Sequence, residues 1–322
     1  MDDPAIARLI GGAPRITIED ALRHPRFAEA RRLYLERFLA VYGDDPFLVR
    51  LLIESGRFLV FLIAATLEAA HDPARRETWF TIGRLKQQMA LFGLASGRHV
   101  DHLVARLCAV GFMEQRPSRE DRRIKILKTT EAMRAHDRDW IAAHYTALTV
   151  LYPEHDYSLA TRKDREFQLA YRRVGMALLP LGAKLLFSVP DMMLFFDRAA
   201  GHMILAALLR DAMAAPEHPH AAVPYADVGD RFGVSRTHVR KLLVTAEELG
   251  LVKLHARGGR RVEILARCWE SYDRGIACGM YVHDIAYLAV TRPAVPLEAL
   301  PATAAPQPLP VAANASSPRA DA

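Results

Sequence analysis

The chain is expected to be mainly α-helical with small β-hairpins, built from two tandem copies of a helix-turn-helix unit followed by a hairpin. Three observations predict this. Apolar residues recur at helical spacing through most of the chain, only two short β-prone runs flank polar turns, and an internal repeat places the same elements in the same order twice.

The elements follow in order. Residues 1–25 form an N-terminal segment. Arg26–Val41 and Pro46–Ala70 carry helical periodicity, with Gly43-Asp44-Asp45-Pro46 as the turn between them and proline opening the second helix. Thr78–Leu91 and Ser96–Val110 read as two further helices, and Phe112–Arg116 with Arg123–Leu127 as the first hairpin. Residues 141–165 connect to a second series, in which Glu166–Leu179 and Asp191–Ala214 are helical and Leu251–Leu265 forms the second hairpin. From Thr291 to Ala322, seven prolines and ten alanines leave little to bury, which predicts a disordered tail.

The repeat is carried by matched residues. Ser96, His99, Val100, Leu103 and Gly111 align without gaps to Ser235, His238, Val239, Leu242 and Gly250, and Arg122–Leu127 (RRIKIL) then matches Arg260–Leu265 (RRVEIL). The helical stretch from Pro46 resembles that from Pro190. Two modules, 26–140 and 166–290, follow from this.

In the first module Phe92-Gly93-Leu94 is a tight turn and Ser96 an N-cap. Val100, Leu103, Val104, Leu107 and Val110 bury one face of the helix, which ends at Gly111 as a C′ glycine. Ser96, Gly97, Arg98, His99, Asp101, His102 and Arg106 lie along its start and its other faces. A polar second helix of this kind fits the major groove and presents side chains to base edges. The following hairpin carries Arg116, Arg119, Arg122 and Arg123 around Glu120 and Asp121. A basic loop beside a recognition helix is a wing that reaches phosphates or the minor groove. Asp121 is expected to pair with one of these arginines and hold the loop in shape.

The stretch LVARLCAVGFMEQRPSREDRRIKILKTT resembles the winged-helix signature of MarR-type (multiple antibiotic resistance) regulators. The matching residues are Leu103–Leu107, Gly111-Phe112, Arg116-Pro117, Glu120–Arg123 and Thr130. It departs from that pattern at Thr129, where leucine is usual, and at Met133, where glycine is common. The resemblance implies that the helix after Ser96 reads the major groove and that Arg122 or Arg123 enters the minor groove. It also implies that the outer helices form a dimer interface and that a crevice beside it takes a small-molecule effector.

The second copy resembles winged helices in general. Its candidate contacts are Ser235, Arg236, Thr237, His238, Arg240 and Lys241 on the helix, and Arg257, Arg260 and Arg261 at a tip turned by Gly258-Gly259.

Bulk properties agree with this reading. A formal net charge of +6 and a pI near 9.3 favour an anionic partner. Three cysteines without C-x-x-C spacing suggest neither disulfides nor a zinc module. Cys108 is expected to be a packing thiol, His99 and His238 to recur by shared ancestry, and His218-Pro219-His220 to lie in a loop without metal. The Met- and Phe-rich stretch Met176–Met203 reads as core or dimer packing, with an effector pocket as the alternative. The opening MDDPAIARLIGGAP lacks the apolar core of a signal peptide, and the longest apolar run, Phe58–Leu67, falls short of the roughly 20 residues of a membrane span. No P-loop, G-x-S-x-G, G-x-G-x-x-G or H-E-x-x-H motif is present, so no enzyme is expected. The expected function is that of a cytoplasmic, nucleoid-associated bacterial transcriptional regulator binding double-stranded DNA without a cofactor, as a homodimer or an intrachain pseudo-dimer. A protein-interaction scaffold and a plasmid replication initiator are the alternatives.

Overall fold

A computed structural model of the chain describes residues 4–43, 45–214 and 220–301. It is mainly helical, with two small antiparallel sheets. The first half runs α3 (Phe27–Tyr42), α4 (Pro46–Leu52), α5 (Ser55–Ala69), α6 (Ile82–Ala90), α7 (Gly97–Ala109), β1 (Met113–Pro117), β2 (Lys125–Thr129) and α8 (Glu131–Leu151), preceded by α1 (Pro4–Ile10) and α2 (Ile18–Arg23). After the short α9 (Ser158–Thr161), the second half repeats the order. It runs α10 (Arg165–Phe187), α11 (Pro190–Phe196), α12 (Gly201–Ala214), β3 (His220–Ala221), α13 (Tyr225–Phe232), α14 (Arg236–Glu248), β4 (Val252–Ala256), β5 (Arg261–Ile264) and α15 (Ala266–Thr291).

Several boundaries differ from the sequence expectation. The helix expected over Pro46–Ala70 breaks at Ile53–Glu54, and that over Asp191–Ala214 breaks at 197–200. Ala200 adopts φ 57°, and a Cβ on Gly201 would lie 2.1 Å from the Phe195 carbonyl oxygen, so the second break depends on glycine. The helix expected from Thr78 begins at Ile82, where Thr81 caps it through Arg84 N–H; Arg76–Thr78 form a separate 3-10 turn. Helix α8 runs through the boundary drawn at residue 140. Within residues 1–25, α1 and α2 pack on α15 and bury Ile6, Leu9, Ile16 and Ala21. The tail is placed as far as Pro301: Leu300 is buried, and Arg173 donates to the carbonyls of Leu300 (2.5 Å) and Pro301 (2.9 Å). The remainder of the predicted disordered tail lies outside the described residues.

The two halves interlock. Helix α3 packs on α8 of its own half and on α12 of the other; α10 packs on α15 of its own half and on α5 of the other. The two helix breaks meet where the halves cross, with Ala200 N–H donating to the Ile53 carbonyl at 2.8 Å. Buried and half-buried ion pairs tie the crossing helices. Arg172 on α10 engages Asp137 on α8, with Nε to Oδ2 at 3.0 Å, and lies over the Trp140 ring. Arg31 on α3 engages Asp273 on α15 at 2.7 Å and lies over the Trp269 ring. Arg15 and Tyr157 both reach the buried carboxylate of Asp284, which fastens the N-terminal segment to α15.

No single helix among the described residues is long and apolar enough to cross a membrane. Helices α10 and α11 pass that test only as a pair bent by 102°, and Val174, Leu181 and Phe195 of this pair are buried in the core.

Removing Asp137 would strand the Arg172 guanidinium among apolar and aromatic side chains. An Asp137→Ala variant is expected to lose about 3–5 kcal/mol of stability in a urea titration. A loss under about 1 kcal/mol would mean the pair does not anchor α10 on α8.

Candidate nucleic-acid interface and central cavity

In the first half, α6 and α7 are joined through Gly93, whose φ is +64°. Ser96 caps α7 by accepting from His99 N–H at 3.2 Å. The apolar face of Val100, Leu103, Val104 and Leu107 is buried as expected. Gly97 opens the helix against the Lys86 stem, and Arg98, His102 and Arg106 are exposed, with Arg106 over the Phe47 ring at 5.7 Å. Two expected contacts turn elsewhere. Asp101 is half-buried and pairs with Lys86 at 2.7 Å, a bond that ties the two helices together. His99 is half-buried against Gly56 of α5.

The hairpin pairs Met113 with Thr129 through Pro117 with Lys125, one or two residues beyond the expected strands. Its loop bonds to itself. Ser118 N–H donates to the Ile124 carbonyl (2.8 Å), and Ile124 N–H to the Asp121 carbonyl (2.9 Å). The Asp121 carboxylate accepts from the backbone N–H of Arg123 at 3.0 Å, so it shapes the loop through the main chain and not through an arginine side chain. Arg116 is exposed and paired with Glu114 at 2.5 Å. Arg119, Arg122 and Arg123 are exposed.

The second half is built alike. Gly233 turns α13 into α14 at φ +68°, and Ser235 caps α14 by accepting from His238 N–H at 3.1 Å. Arg236, Thr237, Arg240 and Lys241 are exposed. His238 points inward, its Nε2 lying 2.9 Å from the Ala199 carbonyl oxygen, so it fixes the helix and does not present to a partner. Arg257, Arg260 and Arg261 are exposed at the tip. Four residues separate the paired Ala256 and Arg261, where a two-residue turn was expected, and Gly258 and Gly259 both take positive φ.

A third strand is not foreshadowed by the sequence. His220–Ala221 (β3) adds to β5, giving the order β3-β5-β4. The equivalent in the first half is a single bond, from Leu127 N–H to the Phe80 carbonyl at 2.8 Å. Two residues of β-structure carry too short a pattern to be seen in sequence.

The helix positions that face no protein carry unspent charge. None of Arg98, Arg119, Arg122, Arg123, Arg236, Arg240, Lys241, Arg257, Arg260 and Arg261 is in an ion pair with a carboxylate among the described residues, whereas Arg15, Arg31, Arg138, Arg172 and Arg267 all are.

A cavity of about 320 Å³ lies where the halves cross, between α3, α5, α8, α10 and α15. Phe38, Phe58, Leu62, Trp140 and Leu178 line it, and four helix glycines, Gly175, Gly182, Gly275 and Gly279, leave the space open. A Cβ on Gly182 or Gly279 would meet nothing within 4 Å. Three histidines face it. His144 bonds the Trp140 carbonyl (2.8 Å) and Tyr34 Oη (3.2 Å), and His283 Nδ1 lies 2.9 Å from Tyr171 Oη. His202 Nε2 and the hydroxyl of the buried Tyr272 have no hydrogen-bond partner among the described residues. Burial holds His144 and His202 down at about 4 and His283 well below its ordinary value, so all three are neutral near pH 7. Burial likewise raises the half-buried Cys108 thiol, in keeping with a packing role.

Comparison of the chain with family models, with curated proteins and with solved structures finds no match.

Two outcomes follow from the cavity. The unfolded chain takes up protons on these histidines below their ordinary value of 6.5 while the fold keeps them neutral. Stability is therefore full above about pH 7 and falls as pH drops from 6.5 toward 4, by on the order of 1 kcal/mol per pH unit per histidine. Urea midpoints between pH 7.5 and 4.5 measure this, and a His202→Gln variant should flatten the slope. Filling the void should be tolerated: Gly182→Ala and Gly279→Ala are each expected to add up to about 1 kcal/mol through helix propensity alone, read as a raised melting temperature.

Proposed function

We propose that the chain is a bacterial DNA-binding transcriptional regulator of the MarR type, in which both helix-turn-helix and hairpin units act as winged helices and the interlocked halves form an intrachain pseudo-dimer. The observation that carries this reading is the distribution of charge. Arg31 and Arg172, between helices, are spent on carboxylates, while Arg98 on α7, Arg236 and Arg240 on α14 and the arginines at the two hairpin tips are exposed and in no ion pair among the described residues. Guanidinium groups left free at such positions suit phosphate and base-edge contacts. Helices α7 and α14 would each enter a major groove, with half-sites about one helical turn apart. The central cavity, apolar with a few unsatisfied polar groups, is where a small effector would act on both units at once. On this reading the protein is not an enzyme and works in the cytoplasm at the nucleoid.

Selection of bound fragments from genomic DNA, followed by a salt series on the enriched sequence, tests the proposal. The expected result is one enriched motif whose affinity falls steeply with salt. An Arg122→Ala, Arg123→Ala double variant should bind it more weakly, by about 1–3 kcal/mol for each arginine that reads a base edge. No enriched sequence together with weak, salt-insensitive binding would leave a protein-interaction scaffold as the better description.

A further inference from the structure

We propose that the three-stranded sheet of the second half carries a divalent transition-metal site formed by His220, His255 and Glu263. Each ligand comes from a different strand. His220 and Glu263 are direct partners across β3 and β5, and Glu263 is paired on its other side with Lys253 of β4. Side chains two residues apart share a face, which puts His255 beside that pair, next to a register shift at Leu254/Ala256. The three donor atoms lie within 4.8 Å of one another. His255 Nε2 and Glu263 Oε2 are 2.5 Å apart, and the two imidazole rings meet edge to face at 5.2 Å between centroids. No other group of three such side chains converges among the described residues.

A tetrahedral ion with bonds of about 2.0–2.1 Å holds its ligands roughly 3.3 Å apart. Closing the trio on an ion therefore takes a contraction of about 1.5 Å at its widest. The ion replaces the hydrogen bond shared by His255 and Glu263. Two imidazole nitrogens and one carboxylate suit zinc, and next cobalt or nickel, better than magnesium or calcium, which prefer all-oxygen sites. The His255 and Glu263 side chains keep 28% and 32% of their surface, which leaves a path for the ion and a fourth position for water. Lys253 is the opposing charge; it is exposed and can turn its ammonium to solvent.

The ion would staple β3, only two residues long, to the hairpin whose tip bears Arg257, Arg260 and Arg261. That consequence for the wing rests on the DNA-binding reading; the site itself does not. The test is accordingly run without DNA.

Full-length protein stripped with a chelator is titrated with Zn²⁺ by calorimetry and with Co²⁺ by visible absorption. We expect one tight equivalent, the d–d bands of tetrahedral cobalt, and a melting temperature that rises with zinc. His220→Gln, His255→Gln and Glu263→Gln should each weaken zinc binding at least tenfold while leaving the metal-free melting temperature unchanged, and Cys108→Ser should bind zinc as the wild type does. Equal zinc affinity in the wild type and the three ligand variants, the absence of a stoichiometric equivalent, or disappearance of the equivalent in Cys108→Ser would overturn the proposal.

Discussion

Neither half of this chain can bury its apolar surface by itself. Helix α3 needs α12 of the second half as well as its own α8, and α10 needs α5 of the first half as well as its own α15. This exchange is the constraint from which the rest follows. The two helix breaks bond to each other at its centre, Ala200 to Ile53. Each crossing is locked by the same chemistry: a guanidinium on the first long helix of one half, a carboxylate on the last long helix of the other, and an indole under the guanidinium. Arginine suits this role because its planar, weakly hydrated cation stacks on an aromatic face while bonding a carboxylate. Such pairs add little net stability over apolar packing, but they penalise any register that would leave a charge unpaired. They specify how the halves cross.

The same arrangement explains why charge is divided as it is. Arginines that set the crossing are matched, Arg172 buried and Arg31 half-buried. Arg98 on α7, Arg236 and Arg240 on α14 and those of the hairpin tips lie exposed on a helix face or loop. Inward-turned His99 and His238 mark the limit of that free face. Both sit one turn into the helix after the capping serine, and both rest against the start of the helix that supports the unit, beside Gly56 in one half and the Ala199 carbonyl in the other.

Local features of this fold are legible in the sequence, and non-local ones are not. Ser96 and Ser235 announce their helices because capping is a bond to an N–H three residues away. Gly93 and Gly111 announce turns because their backbone sits at positive φ. The apolar face of α7 follows from spacing alone. By contrast, the breaks at Ile53 and Ala200 interrupt stretches whose periodicity reads straight through, and the bond that joins them runs between the halves. The Asp101–Lys86 pair and the Asp121 loop bond differ from expectation because a charged side chain in sequence does not reveal whether a neighbour or the main chain will take it. Thirteen scattered histidines look alike in sequence. Only the assembled fold separates the three neutral ones around the cavity from His220 and His255 on the sheet.

The cavity is a point at which the fold departs from what stability alone would favour. Glycine in a helix interior is worse than alanine by about 1 kcal/mol, yet four glycines on α10 and α15 face the space. A void forfeits the dispersion attraction its lining would otherwise gain. A buried hydroxyl and a ring nitrogen without partners add a desolvation cost, at Tyr272 and His202. These three costs arise from different physics and would not be expected to coincide. They coincide between the two halves, beside the Ile53–Ala200 crossing and within reach of the helices α5 and α12 that support the helix pairs α6–α7 and α13–α14. A ligand that was largely apolar, uncharged and able to bond Tyr272 and His202 would recover the lost dispersion and the missing hydrogen bonds together. Because the halves share this core, the energy of any occupant would bear on the packing of both halves.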